Sequence, residues 1–305
     1  MSSKHAELLL LLVIASRSTS YLLSKIGLAT IPPLELLGIR FSLAFIILCI
    51  IFHGKLKKIT RQTMAAGLLL GAVLFSCMTL EAFSLTMIDS SMAAFLENTA
   101  VIWVLLLEAV LLRRIPSRSI LSAAAVIVCG VFLLTLHGTT LFFSWGIALC
   151  LAASICYAIW IILTDRFAHT LNPLTIGILQ IGVLAVLSCI STILWQEPFF
   201  PTQRIEWEVI LTLVFVCTIL GFTFQPVAQK YTSATHAGLF TAFNPLIAAV
   251  LGHTVLSENF GLSQLFGGAL ILSGILFVQL CHPSSSTTSL TTDKISSQTT
   301  LPTKY

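Results

Sequence analysis

The sequence predicts an all-α polytopic membrane protein with ten transmembrane helices, arranged as two inverted five-helix repeats with both termini in the cytoplasm. Three observations support this fold class. Of the 305 residues, 57% are hydrophobic and 9% are charged, whereas soluble domains carry about 25% charged residues. The apolar residues form long runs with short connections, and the second half of the chain repeats features of the first.

Ten apolar segments have the length that a bilayer requires, because roughly 20 helical residues cross its ~30 Å hydrocarbon core. The short connections between them leave no room for a soluble domain. The tail from Pro283 to Tyr305 is rich in Ser and Thr, which predicts disorder. The ten predicted segments are Glu7–Leu28, Pro32–His53, Thr63–Met87, Ser91–Leu112, Ser117–Leu136, Ser144–Arg166, Pro173–Trp195, Glu206–Gln229, Thr232–Leu256 and Ser263–Cys281.

The distribution of Lys and Arg predicts the orientation, because cytoplasmic loops are enriched in positive charge. With the amino terminus inside, most of the 16 basic residues fall in the inner segments, whereas the outer loops carry mainly acids. An even number of helices returns the carboxyl terminus to the cytoplasm. We therefore expect a multi-pass protein of the cytoplasmic (inner) cell membrane.

The chain aligns with itself at a shift of 144 residues, which places VIVCGVFLL (126–134) over LILSGILFV (270–278). A shift of 140 residues sets Pro33 over Pro173. The repeat unit contains five helices, an odd number, so the two copies must have opposite orientations in the membrane. Such repeats are typical of secondary transporters, which bind substrate near the membrane midplane. We predict a first repeat over 1–136, a second over 137–282 and a disordered cytoplasmic tail over 283–305.

Several stretches resemble the EamA-type transporters of the drug/metabolite transporter superfamily. They are GIRFSLAFIIL (38–48), KYTSATHAGLFTAFNPLIAAVL (230–251), the pair Ser257-Glu258 and FGGALILSGILF (266–277). The resemblance implies two EamA repeats in one transporter. The first helix departs from the family pattern, because Arg17 and Ser18 stand where the family usually has Trp-Gly.

Ionisable residues inside the predicted helices are the main candidates for function, since a charge at a helix centre costs about 2.5–3.5 kcal/mol on insertion scales. Arg17 lies near the middle of the first helix. Arg40 and Glu97 lie roughly 12 and 9 Å from the outer ends of their helices, at 1.5 Å per residue. The second copy of the unit has Thr241 and Ala242 in place of Glu97 and Asn98, so packing alone does not require the acid.

These positions and other polar or aromatic residues within the helices form the predicted solute-binding set. The set is Arg17, Tyr21, Arg40, Glu81, Glu97, Asn98, Tyr157, Trp160, Gln180, Gln225, His236 and Asn244.

Each candidate also has a structural interpretation. Glu97 with Arg17 or Arg40 is either a binding site or an ion pair that locks helices together. His236 is either a proton relay or a buried histidine with satisfied hydrogen bonds. Tyr157 and Trp160 either pack against a solute or belong to the core.

The function that fits best is secondary transport of small polar or amphipathic metabolites, which are amino-acid-like or related organic solutes. Export is one of the two transport directions considered. The alternatives are a membrane-embedded enzyme, a channel and a non-transporting scaffold. The sequence contains neither of the enzyme motifs HExxH and GxSxG. It also lacks the ATP-binding loop motif GxxxxGK[ST].

The eight cysteines form no CxxC pair, so we expect neither a metal nor a cofactor. The basic residues form no continuous face, which excludes nucleic acid as a partner. The expected partners are a small-molecule solute and the lipid bilayer, and a homodimer is left open.

Overall fold

The computed structural model describes residues 3–56, 59–111, 113, 115, 117–137, 140–141, 144–195, 200–231, 243–258 and 261–281. The chain contains a π-helical segment, Leu213–Thr223, and two two-residue strands, β1 (Leu136–His137) and β2 (Thr140–Leu141), which pair antiparallel. The α-helices are α1 (Ser3–Gly27), α2 (Pro33–Ile51), α3 (His53–Leu56), α4 (Arg61–Leu85), α5 (Ser90–Asn98), α6 (Ala100–Leu111), α7 (Arg118–Leu134), α8 (Trp145–Thr170), α9 (Pro173–Trp195), α10 (Arg204–Thr212), α11 (Phe224–Tyr231), α12 (Phe243–Leu256) and α13 (Leu262–Cys281).

The helical fold class is confirmed, while the count of ten membrane helices stays a prediction. Six described stretches are long and apolar enough to cross a membrane: Pro33–Ile51, Arg61–Leu85, Ser90–Leu111, Trp145–Thr170, Pro173–Trp195 and Arg204–Ala228. Three shorter apolar helices accompany them: Arg118–Leu134, Phe243–Leu256 and Leu262–Phe277. The tail from Pro283 and the first part of the predicted ninth segment, 232–242, lie outside the described residues.

The predicted fourth segment is divided into α5 and α6 at Thr99. The Thr99 hydroxyl donates to the Leu96 carbonyl at 2.6 Å and to the Ser154 hydroxyl at 3.3 Å. The backbone N–H of Thr99 also returns to Leu96, at 3.2 Å. A Thr side chain bonded back to its own helix often bends that helix. This interruption follows directly after Glu97 and Asn98.

Helix packing follows the internal repeat. The fourth segment comprises α5 and α6, and the eighth comprises α10, the π-helical segment and α11. With this assignment, the contacts between α4 and α8 correspond to the contacts between the eighth segment and α1. The pairs α2 with α9 and α7 with α13 each join equivalent helices. Exchanging the two halves therefore leaves these main contacts unchanged, as a two-fold axis between the halves requires.

The contact between α7 and α13 shows this relation at single residues. A Cβ atom on Gly130 would lie 2.8 Å from the Gly267 carbonyl, and one on Gly274 would lie 3.2 Å from the Ala123 carbonyl. Gly274 is Gly130 shifted by 144 residues, and Gly267 is Ala123 shifted by the same amount. The two helices thus approach closely through equivalent positions.

Glu258, which follows α12, binds the amino-terminal end of α5. Its carboxylate accepts the backbone N–H groups of Ser90 at 2.8 Å and Ser91 at 3.1 Å, together with both serine hydroxyls. A carboxylate is favourable there because the first N–H groups of a helix lack intrahelical acceptors. The Ser257-Glu258 pair thus connects the second half of the chain to the first.

Ser257 has a positive backbone angle, φ 55°, and Arg113, its equivalent in the first repeat, has φ 51°. This left-handed conformation costs an L-residue about 1–2 kcal/mol, whereas glycine adopts it readily. Both positions follow the last turn of a helix, where glycine is the usual residue.

We expect Ser257→Gly to raise the free energy of unfolding by up to about 1 kcal/mol, because it relieves this backbone strain. Ser122→Gly, on the exposed side of α7, is the matched control and should cost about 0.5 kcal/mol. Thermal unfolding of the detergent-solubilised protein measures both. A lower melting temperature for Ser257→Gly would contradict the prediction.

Candidate functional site

Arg17 and Glu97 form a buried ion pair between α1 and α5. Arg17 Nη2 lies 3.1 Å from Glu97 Oε1, and the two side chains are 7% and 1% exposed. Tyr21, one turn along α1, donates its hydroxyl to Glu97 Oε2 at 2.6 Å. Both carboxylate oxygens therefore have a separate donor, as a charge buried among helices requires.

The other side of the Arg17 guanidinium contacts the second repeat. Its Nη1 donates to the Tyr157 hydroxyl of α8 and, at 3.5 Å, to Gln225 Oε1 of α11. Gln225 Nε2 donates to the same Tyr157 hydroxyl at 3.0 Å. The Tyr157 ring lies 4.2 Å from Arg17 Cζ, a cation–π distance. Arg17 therefore connects the two repeats.

Arg40, on α2, is the second buried cation. Its Nε donates to Thr218 at 2.7 Å and its Nη2 to Ser20 at 3.2 Å. No carboxylate of the described residues lies within 4 Å of its guanidinium. Glu81, buried on α4, interacts electrostatically with Glu97 and with both arginines. The cluster thus holds two basic and two acidic side chains.

Trp160 and Gln180 are completely buried beside this cluster. Trp160 Nε1 donates to Gln180 Oε1 at 2.9 Å, and Gln180 Nε2 donates to the Phe222 carbonyl at 3.2 Å. The Trp160 ring stacks on Tyr157, with 5.4 Å between the ring centroids. The polar atoms of Trp160 and Gln180 therefore bind protein partners.

The remaining predicted residues are Asn98, Asn244 and His236. Asn98 is the last residue of α5, next to Glu97. Asn244 Oδ1 accepts the Ser18 hydroxyl at 2.6 Å, between α12 and α1. His236 lies outside the described residues. The structure thus brings nine of the predicted residues into one connected region, which is composed of Arg17, Tyr21, Arg40, Glu81, Glu97, Tyr157, Trp160, Gln180 and Gln225.

Equivalent positions of the two repeats meet here with different chemistry. At the shift of 140 residues Arg17 corresponds to Tyr157, and these two side chains touch. The bond from Arg40 to Ser20 corresponds to the bond between Gln180 and Trp160. The charged member of each pair comes from the first repeat, so the two-fold relation holds for position and not for charge.

Phe222 is a member of the site that the sequence reasoning missed. Its ring lies 5.0 Å from Arg17 Cζ and 6.0 Å from Arg40 Cζ, between the two cations. Phenylalanine is frequent throughout the chain, with 20 copies. The sequence feature that points to Phe222 is Pro226, four residues later, because a proline inside a membrane helix marks an irregular backbone.

A cavity of about 200 Å³ opens at the junction of α4, α5, α7 and α8 and not beside Arg17. The residues around it include Asp89, Met92, Thr135 and Ser144. At the charged cluster, by contrast, Arg17 and Glu97 are buried, and both Nη atoms of Arg17 and both carboxylate oxygens of Glu97 bind protein partners.

The sequence profile described as the EamA-like transporter family matches residues 4–136 and again 144–280. The two matches together cover most of the chain. It belongs to the EamA-like transporter family. It is a multi-pass membrane transporter rather than an enzyme, and a small-molecule solute and the bilayer are the partners expected of this family.

Curated relatives of this EamA-like protein have similar names. An uncharacterized transporter of Archaeoglobus fulgidus is 27% identical over 214 residues, covering 68% of this chain and 74% of its own length. The uncharacterized transporter YetK of Bacillus subtilis is 24% identical over 272 residues, covering 84% and 81%. A solved crystal structure superposes with a TM-score of 0.69 at 16% identity, over 92% of this chain and 98% of the other. That structure shows the same fold.

We expect the Arg17–Glu97 pair to be strongly coupled in a double-mutant cycle of Arg17→Met and Glu97→Gln. Each single change should cost about 3–5 kcal/mol, because it leaves one buried charge without its partner, while the double variant should cost much less than their sum. Thermal and denaturant unfolding in detergent measure the cycle.

The exposed pair Arg204–Glu208, with 2.7 Å between Nε and Oε1, is the matched control. Its coupling should stay below about 1 kcal/mol because solvent screens both charges. Additive effects at Arg17 and Glu97 would show that the two charges do not stabilise each other.

Proposed function

We propose that this protein is a secondary transporter that moves small polar or amphipathic metabolites, amino-acid-like or related organic solutes, across the cytoplasmic membrane. The observation that carries the proposal is the position of Arg17. It binds Glu97 from its own repeat and Tyr157 with Gln225 from the other. A solute that binds at this point contacts both halves of the protein, which is what coupling solute binding to their relative motion requires.

The chemistry of the cluster favours a solute with both charges. In the structure Arg17 and Glu97 neutralise each other. A zwitterion offers a carboxylate to Arg17 and an ammonium group to Glu97, so both buried charges exchange one partner for another. A solute with a single charge leaves one of them unpaired, at a cost of several kcal/mol.

The same proposal includes the arrangement in the membrane: ten helices, both termini in the cytoplasm and two inverted repeats over 1–136 and 137–282. Its support is the distribution of Lys and Arg together with the packing pattern, which is unchanged when equivalent helices are exchanged. Alternating access then corresponds to a movement of one repeat against the other about the cluster. Export is the direction we propose to test first.

Glu97 also has features of a purely structural group, because both of its oxygens are bonded. The structural and transport roles predict different results for Glu97→Gln. If Glu97 is only a structural lock, the variant loses stability but each folded molecule transports at the normal rate; if Glu97 serves transport, the rate per folded protein falls as well.

We expect Glu97→Gln to lower the initial transport rate per folded protein at least about tenfold, since an interaction of about 1.4 kcal/mol corresponds to a factor of ten. Proteoliposomes loaded with labelled neutral amino acids, carboxylates or organic cations measure flux and counterflow with either gradient. Glu208→Gln, an exposed acid on α10, is the control and should transport normally.

Failure of every solute class, with either gradient, would overturn the transport proposal for these classes. Equal loss of folded protein in Arg17→Ala, Arg40→Ala and Glu97→Gln, with an unchanged transport rate per folded protein, would assign the cluster to a structural lock. Thermal shift with the same panel gives an independent measure of binding, because a ligand at 100 times its Kd stabilises a protein by about 2.7 kcal/mol.

A further inference from the structure

Pro226 creates a gap in the backbone hydrogen bonding of the eighth segment. Proline has no N–H, so in an α-helix the carbonyl four residues earlier loses its donor, and the proline ring crowds that carbonyl. In the α-helical register of α11, which contains Pro226, the carbonyl concerned is that of Phe222. The π-helical segment Leu213–Thr223 ends directly beside it, and α11 begins at Phe224.

Gln180 of α9 binds this carbonyl. Its Nε2 lies 3.2 Å from the Phe222 oxygen, and its Oε1 accepts the Trp160 indole N–H at 2.9 Å. The amide thus has a partner at each end, and it is completely buried. Side chains of neighbouring helices commonly satisfy backbone groups that a proline frees in membrane proteins.

The face of α9 near Gln180 also lets this helix approach the irregular backbone closely. Gly177 lies three residues before Gln180, on the same side of the helix. A Cβ atom at Gly177 would lie 2.4 Å from the Thr223 carbonyl. Gly177 therefore allows α9 to approach the segment that Gln180 binds.

The backbone held in this way supports both sides of the charged cluster. The Phe222 ring lies 5.0 Å from Arg17 Cζ, and it meets Trp160 edge-on at 6.3 Å. Three residues later, Gln225 binds Tyr157 and Arg17. Arg40, the equivalent of Gln180, binds Thr218 in the same π-helical segment. Equivalent residues of the two repeats thus anchor this segment about one turn apart.

We propose that Gln180 is a positioning residue. It supplies to the Phe222 carbonyl the hydrogen bond that Pro226 removes, and so holds Phe222 and Gln225 against Arg17. This inference rests on the proposed function of the Arg17 cluster. It also assigns Gln180 and Trp160 to the support of the site and not to direct contact with solute.

The test is a double-mutant cycle of Gln180→Met and Pro226→Ala. Gln180→Met should raise the KM for solute about fivefold, the factor that corresponds to one hydrogen bond of about 1 kcal/mol, with little change in turnover rate. Pro226→Ala restores an N–H that can bind the Phe222 carbonyl. In that background Gln180→Met should change KM less than about twofold.

Hydrogen exchange of the α11 amides, residues 224–231, tests the same inference without solute. Gln180→Met should speed this exchange in the wild-type background and much less in Pro226→Ala. Ser188→Ala, on the same helix, is the control and should leave exchange unchanged, because the buried Ser188 hydroxyl has no hydrogen-bond partner among the described residues.

Each result has a definite meaning. Additive effects of the two substitutions on exchange would overturn the positioning role of Gln180, whatever the transport assay shows. Coupled effects on exchange without flux of any tested solute would support the positioning role and contradict the transport proposal. If Pro226→Ala fails to fold, the single variant Gln180→Met decides: α11 exchange no faster than in the Ser188→Ala control overturns the positioning role, and faster exchange supports it.

Discussion

The ion pair between Arg17 and Glu97 places two charges in the part of the protein where desolvation costs most. An unpaired ion among helices costs several kcal/mol even after relaxation, so each oxygen and nitrogen of the pair needs a partner. Tyr21 provides one from α1, while Tyr157 and Gln225 provide others from the second repeat. The demand for these partners brings four helices, α1, α5, α8 and α11, to one point.

Two irregular helices adjoin this point, and each has an identifiable chemical cause. Thr99 bonds back to Leu96 and divides α5 from α6 directly after Glu97. Pro226 removes a donor and is preceded by the π-helical segment that contains Phe222. Irregular backbone within a membrane is tolerated where other protein groups satisfy it. At Phe222 that group is Gln180, so the irregular backbone there and the polar site depend on the same contacts.

The internal repeat explains the fold better than it explains the site. Gly130 and Gly274 make equivalent close contacts, and Arg17 meets its equivalent Tyr157. The chemistry at the equivalent positions has nevertheless diverged: Arg40 corresponds to Gln180, and Glu81 corresponds to Gln225. The cluster therefore has its charges in one repeat and its amides in the other.

The sequence by itself determined the helical class, the membrane location, the repeat and most members of the cluster. Apolar run length, charge placement and internal similarity are local properties that can be counted along the chain. It did not determine which cation pairs with Glu97, because Arg17 and Arg40 are both within plausible reach from spacing alone. In the tertiary structure Glu97 pairs with Arg17. The same packing places Phe222 between the two arginines and Gln180 against a backbone carbonyl. These choices depend on distances between helices far apart in the chain, and helical periodicity specifies only which side of a helix a residue occupies.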